Sequence, residues 1–282
     1  MPGTLFVVAT PIGNLEDITL RALRVLREVS VIAAEDTRRT AHLLSRHVIA
    51  TRTTSLHEHN EAKKAGALVD RLLKGEDVAL VSDAGTPTIS DPGGQLIQQA
   101  IAAGAPIVAV PGPSAVMTAL AASGLRTDMF TFMGFPPIRS VDRSKWFETL
   151  AKAPGTVVFF EAPHRIRATL DDLLEAIGDR QVVVGRELTK IHEQFVRGSI
   201  STINTAALAA RGEFTVVVNF GQLPDIMATV RPSAADIAHK FVELTAIVGV
   251  SRRQAVAQLA KRYNLAANDV YDAIEACKKS VR

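Results

Sequence analysis

LFVVATPIGNLEDITLRAL, residues 5–23, is the stretch on which the fold turns. An apolar run stops at Pro11 and Gly13, and a helix-like period takes over a few residues later. A strand, a tight turn and a helix in that order begin a β-α-β unit, since a parallel neighbour can be reached only through a crossover. The pattern recurs. Strands are predicted at 5–9, 30–34, 78–82 and 107–110, with helical patterns over 17–29, 36–46, 60–74 and 93–103 and Gly104 as a helix stop. Alternation at this spacing predicts a parallel, helix-covered sheet.

Beyond residue 120 the rhythm changes. Strands are predicted at 129–134, 156–161, 181–186, 193–197 and 214–220, with several connections that look too short for a helix, so a mixed sheet with antiparallel pairs is expected. A small-residue helix from Ala115 to Ala122 closes a first α/β domain over 1–122, and a second α/β domain covers 123–222. GQLPDIMATVRP reads as a linker. Three helix-sized segments follow, 233–247, 251–263 and 267–279, giving a small C-terminal helical domain over 233–282. Ser251 with Gln254 three residues on has capping-box spacing, and 250–274 reads as a helix-turn-helix.

The bulk numbers narrow the class. Of 282 residues 47% are hydrophobic but only 5% aromatic, and no apolar run approaches the roughly 18 residues of a membrane helix. The start, MPGTLF, lacks the basic and small-residue features of a secretory signal, so a cytoplasmic location is expected. A single cysteine, Cys277, excludes an intrachain disulfide and a multi-cysteine zinc site. Charge is uneven: residues 231–282 hold nine Lys or Arg against five Asp or Glu, which is +4 of the total +3, so the remainder is −1. A basic tail points to an anionic partner.

Three Gly- and Pro-bearing turns end predicted strands: 9–14 (ATPIGN), 82–94 (SDAGTPTISDPGG) and 110–115 (VPGPSA). In an open parallel sheet, ligands bind beyond the carboxyl ends of the strands, where loop amides and helix N-termini converge. Gly13, Gly85, Gly93, Gly94 and Gly112 suit close backbone approach, and Pro11, Pro87, Pro111 and Pro113 stiffen the loops. Neither G-x-x-x-x-G-K-[ST] nor G-x-G-x-x-G follows the first strand, and none of the three loops contains a Lys. A ligand without phosphates and with a positive charge suits Asp83 and neutral backbone, and S-adenosylmethionine has that profile.

VVATPIGNLEDITLRAL, AAEDTRRT, LVSDAGTPTISDPG, VPGPSA, FMGFPP, FEAPHR and RELTKIHEQFVRG, in this order, resemble the ribosomal RNA small subunit methyltransferase I family. The resemblance runs from residue 5 to about 220, and the tail is similar to that family's helical extension. It implies the tetrapyrrole-methylase type of class III methyltransferase: two α/β domains with S-adenosylmethionine in the cleft between them, 2′-O-methylation of a cytidine in the decoding region of 16S RNA, and a homodimer. It implies cofactor contacts from Pro11 and Ile12, from Asp83, Ala84, Gly85 and Thr86, and from Ser114, Ala115 and Val116. Phe160, Leu188 and Glu213, Phe214 and Thr215 would close the far wall. Thr10 to Gly13 stands where porphyrin-directed relatives carry a glycine-rich loop, a departure that weakens a tetrapyrrole substrate.

Methyl transfer to a ribose hydroxyl needs positioning and either a base or a cation near the developing alkoxide. Polar groups cluster after predicted strands at 35–39 (EDTRR), 161–165 (EAPHR) and 186–190 (RELTK). Lys190 is the first candidate for base or alkoxide stabiliser, on the expectation that burial beside other cations lowers its pKa; a salt bridge with Glu187 or Glu193 is the competing reading. Glu187 and Glu35 complete the catalytic candidates, with Glu35 and Asp36 better placed to hold arginines than to move protons. Arg38, Arg39, Arg165 and Arg186 are candidates for RNA phosphates, with His164 either a substrate contact or a buried histidine. In the tail, Arg252, Arg253, Lys261, Arg262, Lys278 and Lys279 suit RNA backbone, while Phe241, Tyr263 and Tyr271 are too few for base stacking as the main mode. His57 and His59 share a face of an extended segment, but without a third ligand no metal site is assigned. Two other readings stand beside the leading one: a tetrapyrrole or precorrin methylase, and a nucleic-acid-binding regulator with a small-molecule-sensing domain.

Overall fold

The computed structural model describes residues 1–205, 211–220, 234–246, 251–263 and 265–280. They belong to two compact units, Met1–Phe220 and Gly221–Arg282.

The first unit begins with β1 (Leu5–Val8), α1 (Leu20–Glu28), β2 (Val31–Ala34), α2 (Thr37–Arg46), β3 (Thr53–Ser55), α3 (Glu61–Leu73), β4 (Val78–Val81), α4 (Gly94–Ala102), β5 (Ile107–Val110) and α5 (Ala115–Ser123). The five strands pair in the order β3-β2-β4-β1-β5, parallel throughout. Every residue of β2 and β4 is buried, as expected of strands with both faces covered. Ile32 and Ala34 pack with α1 and α2, and Val31 and Ala33 with α3 and α4. β3 was not foreseen. Its TTS carries no apolar alternation, and pairing with the edge of β2 alone makes it a strand.

The starts of α1 and α2 follow ordinary capping chemistry. Thr19 Oγ1 accepts the Ala22 N–H at 3.1 Å to start α1, and Asp36 Oδ1 accepts the Arg38 N–H at 2.8 Å to start α2. α4 begins after Gly93, which has no side chain to offer. The buried carboxylate of Glu61, on α3, fills that place: its Oε1 accepts the Gln95 N–H at 2.7 Å and the Leu96 N–H at 3.1 Å. One helix thus caps another, and a negative charge meets the positive end of the α4 dipole.

The second sheet comprises β6 (Phe130–Phe132), β7 (Thr156–Glu161), β8 (Gln181–Arg186), β9 (Gln194–Ser199) and β10 (Phe214–Asn219), in the order β6-β7-β10-β8-β9. It is mixed, as the sequence predicted: β6 and β7 are parallel, and the other pairs are antiparallel. The expectation that several of its connections are too short for a helix holds between β8 and β9 and fails in the other three. α6 (Ser140–Lys152), α7 (Ile166–Ile177) and α8 (Ile200–Thr205) cover one face, with Phe147, Leu150, Ile166, Leu170 and Ile203 against Phe159, Val184 and Val216. IRATLDDLLEAI has its apolar residues at helical spacing, so α7 is legible in the sequence. The opposite face presents Val158, Val183 and Val217, and α5 covers it with Val116, Ala119 and Leu120.

In the second unit α9 (Ala234–Ala246), α10 (Arg252–Tyr263) and α11 (Ala267–Ser280) share a core of Ile237, Phe241, Ala255, Leu259, Val270 and Ile274. The capping box forms: the Ser251 N–H donates to Gln254 Oε1 at 2.8 Å, and the Gln254 N–H donates to Ser251 Oγ at 3.3 Å. The predicted linker (221–232) and the side chains of Lys261, Arg262, Tyr263, Lys278 and Lys279 lie outside the described residues. Among the described residues no helix is long and apolar enough to cross a membrane.

Glu61→Ala removes the charged cap from α4 and leaves two amides without their partner. Thermal and urea unfolding of that variant are expected to show a loss of about 1–3 kcal/mol.

Candidate active site

Strand order dictates where the site lies. β4, β1 and β5 are adjacent, so their carboxyl-end loops, 9–14, 82–94 and 111–114, meet at one edge. The loops are stitched together. Thr10 and Gly85 exchange backbone hydrogen bonds at 2.8 and 2.9 Å, Thr10 Oγ1 donates to Ser82 O at 3.2 Å, and Thr86 Oγ1 donates to Pro113 O at 3.4 Å. Gly85 holds a positive φ of 83° at this bridge, where a side chain would strain the backbone. At Gly13 the close approach is that of another loop. A Cβ there would stand 2.4 Å from Lys190 Cγ and 2.8 Å from Thr189 Oγ1, so its lack of a side chain admits the 187–190 loop.

Beside these loops lies a cavity of about 360 Å³, within the range of roughly 300–1,000 Å³ usual for small-ligand pockets. Ile12, Ala84, Gly85 and Thr86 line it from the loops after β1 and β4, and Ser114, Ala115 and Val116 from the start of α5. The second sheet supplies the facing wall. β10 enters antiparallel to β7 with Phe214 opposite Glu161 and Thr215 opposite Phe160, so the start of one strand meets the end of the other. Phe160, Phe214, Thr215 and Glu213 line the cavity there, as the resemblance implied.

Three expected contacts stand elsewhere. Pro11 and Leu188 are buried beside the cavity without lining it. Asp83 is turned to the protein: its Oδ1 accepts the Asp36 N–H at 2.9 Å, and its Oδ2 is 3.5 Å from Arg39. Glu35 Oε2 accepts the Asp83 N–H at 3.2 Å, which ties the ends of β2 and β4.

Several lining residues were missed, chiefly Ile89, Ser90, Asp91 and Phe135. Thr88 and Ser90 adopt φ of 72° and 68° on either side of Ile89, a reversal that propensity does not announce. Phe135 stands 5.4 Å, centroid to centroid, from Phe160, which in turn meets Phe132 at 4.9 Å, an aromatic wall suited to a flat heterocycle. Asp91 is half-buried and its carboxyl is pushed up to about 6. Burial is the main cause and the charges of Glu35 and Asp83 add to it, against a hydrogen bond from Ser82.

Lys190 contradicts the expectation of a depressed pKa. Its neighbours are carboxylates, with Nζ 2.9 Å from Glu187 Oε1 and 3.2 Å from Glu213 Oε2. Burial pulls its pKa down, but the two carboxylates outweigh it and the pKa is raised, so Lys190 is a fixed cation and not a base. Lys190 in turn holds the carboxyl of Glu187 below its usual range. Arg165 is committed internally: its Nε and Nη2 lie 2.8 and 2.6 Å from Glu161 Oε1, and its Nη1 donates to Pro136 O. The Glu161 side chain is fully buried and also accepts from Ala162 N–H and Thr169 Oγ1. Arg186 Nε donates to Arg211 O at 2.8 Å. Arg38 and Arg39 are exposed, with Arg38 in a fork on Asp36 whose carboxyl that contact holds far below the usual range. His164 is exposed, which removes the buried-histidine reading. Among the described residues no group of three or more His, Cys, Asp or Glu side chains is placed to hold a metal.

Residues 4–204 match the family model described as Tetrapyrrole (Corrin/Porphyrin) Methylases. A protein of Halalkalibacterium halodurans named Ribosomal RNA small subunit methyltransferase I is 42% identical over 273 residues, covering 96% of this chain and 94% of that one. Its namesake in Pseudomonas aeruginosa is 46% identical over 228 residues, 79% of this chain and 81% of that protein. The chain belongs to the ribosomal RNA small subunit methyltransferase I family. Solved structures share the fold at low identity: diphthine synthase (TM-score 0.61, 15% identity, 77% of this chain and 90% of that one) and the Thermus thermophilus uroporphyrin-III C-methyltransferase complexed with S-adenyl homocysteine (TM-score 0.56, 17%, 77% and 98%).

As a member of this family the chain is a methyltransferase with S-adenosylmethionine as its donor, which sets aside the regulator reading. The cavity fits that molecule. Among the described residues no Lys, Arg or His lines it, while main chain, aromatic rings and carboxylates suit an adenosyl group and a cationic methionine end.

Glu161→Ala strands the guanidinium of Arg165, whose side chain is only 19% exposed. Denaturant unfolding is expected to show a loss of about 3–5 kcal/mol.

Proposed function

We propose that this methyltransferase modifies the 2′-oxygen of a cytidine in the decoding region of 16S ribosomal RNA, acting in the cytoplasm as a homodimer on RNA or the small ribosomal subunit. The observation that carries the RNA reading is the level of likeness. Relatives named for ribosomal RNA are 40–47% identical over most of the chain, whereas the tetrapyrrole enzymes share 17–20% and the fold. The two sheets would act as lobes divided at 122/123, with the donor between them. When bound, S-adenosylmethionine supplies an electrophilic methyl group on a sulfonium.

The chain's own residues do the positioning. The stitched loops and the Phe160 wall fix the donor's place and keep water out. Lys190, held by Glu187 and by the cavity-lining Glu213, stands ready to donate a hydrogen bond to the ribose oxygen as negative charge develops on it. Glu35 acts at one remove, holding the Asp83 amide. Exposed Arg38, Arg39 and His164 are the phosphate and ribose contacts at the mouth, and exposed Arg252 and Arg253 serve the same end in the tail.

Mapping of ribose methylation in ribosomal RNA, from cells with and without the gene, tests the reading; an unchanged methylation pattern refutes it. Lys190→Ala is expected to lower kcat about 10²-fold with donor Kd unchanged in calorimetry, and an undiminished kcat removes the residue from the reaction. Arg252→Ala with Arg253→Ala is expected to reduce the slope of log affinity for RNA against log salt by about 2, with no effect on donor affinity.

A further inference from the structure

Three carboxylates line the cavity, and two of them have a cation beside them within the protein. Glu161 is paired with Arg165, and Glu213 shares Lys190 with Glu187. Asp91 differs. Among the described residues no cation pairs with it, and its hydrogen-bond partner is the Ser82 hydroxyl. The charges that act on it share its sign, Glu35 at the end of β2 and Asp83 at the end of β4. Arg39, on α2, reaches Asp83. With no basic side chain in the lining among the described residues, Asp91 keeps a negative charge that no cation stands beside, half withdrawn from water.

Such a charge raises the free energy of the empty protein, because burial and like neighbours both oppose it. A cation entering the cavity reverses both penalties. The loop geometry serves this end: the left-handed residues Thr88 and Ser90 fold the chain back so that Asp91 lies along the cavity.

We propose that the Asp91 carboxylate is the counter-charge for a cationic centre of the ligand, and so selects positively charged guests for this cavity. The proposal rests on S-adenosylmethionine being the donor. That molecule has two cationic centres, the sulfonium and the α-ammonium, whereas S-adenosylhomocysteine keeps only the ammonium. Ionisation of Asp91 must then control affinity. Its carboxyl protonates below about 6, so donor affinity is low at acid pH and rises as pH passes through about 6. The other lining acids have Arg165 and Lys190 beside them, and the edge acid Asp83 has Arg39.

The test is calorimetry of the full-length chain with S-adenosylmethionine and S-adenosylhomocysteine, for the native protein and for Asp91→Asn, from pH 5 to pH 8. The native chain is expected to bind the donor about tenfold more weakly at pH 5 than at pH 7, and Asp91→Asn to bind it about 10- to 100-fold more weakly at pH 7 with no such pH dependence. Loss with the donor alone identifies the sulfonium as the partner, and equal loss with both ligands identifies the ammonium. Removal of a repelled charge does not lower Tm at pH 7, so a folding defect is separable. Should that variant fail to fold, the native pH profile decides alone, and a flat profile overturns the proposal. Native-like donor affinity in Asp91→Asn also overturns it, whereas failure of the native chain to bind the donor at any pH refutes the donor assignment itself.

Discussion

Val158, Val183 and Val217 project from a face of the second sheet that α6, α7 and α8 leave bare, and the helix that covers it comes from the other half of the chain. α5 follows β5, the edge strand of the first sheet, and lays Val116, Ala119 and Leu120 on those valines. Burial of that apolar surface holds the two sheets in one compact unit. It also fixes the cavity, because Ser114 and Ala115 at the start of the same helix form part of its lining. One packing interaction therefore serves both the fold and the pocket. Ile12 and Leu188 join the same core, which locks the 9–14 and 187–190 loops to it.

Polar groups around the pocket divide by whether the protein satisfies them. Glu161 and Arg165 form a closed arrangement with Thr169 and the Ala162 amide, and they hold the end of β7 against the loop that carries Pro136. Lys190 is held between Glu187 and Glu213, which keeps it charged. Thr189 Oγ1, beside Gly13, is buried with no partner, and Glu187 and Thr189 both adopt left-handed backbone, with φ of 50° and 67°. Strain of this kind costs about 1–3 kcal/mol per residue and persists where the surroundings impose it. Here it aims the Lys190 side chain at the cavity's edge. The 82–94 loop repeats the device around Ile89 and aims Asp91.

The helical tail is built on other terms. Among the described residues its three helices meet through six buried apolar side chains, and Arg252 and Arg253 are exposed at the start of α10. Its described residues offer positive charge on short helices. Phosphate backbone asks for no more, since charge carries affinity for it without reading sequence.

Periodicity alone determined most of the first sheet. Apolar runs at 5–9, 30–34, 78–82 and 107–110, each bounded by Gly, Pro or charge, have few other ways to bury themselves. From that pattern followed the edge at which three glycine turns converge, and the absence of phosphate motifs excluded most nucleotides from it. Local pattern could not yield β3, which exists only because β2 offers an edge, nor the Glu61 cap on α4, which joins two helices across the fold. Side-chain partners decided the rest. The bridge of Lys190 to Glu187 was legible from spacing, but its second partner, Glu213, and the Pro136 carbonyl that engages Arg165 come from distant positions. Asp91 lay in plain view within SDAGTPTISDPG, and only the folded loop, with its two reversals, turned it from one acid among several into the unpaired charge of the cavity.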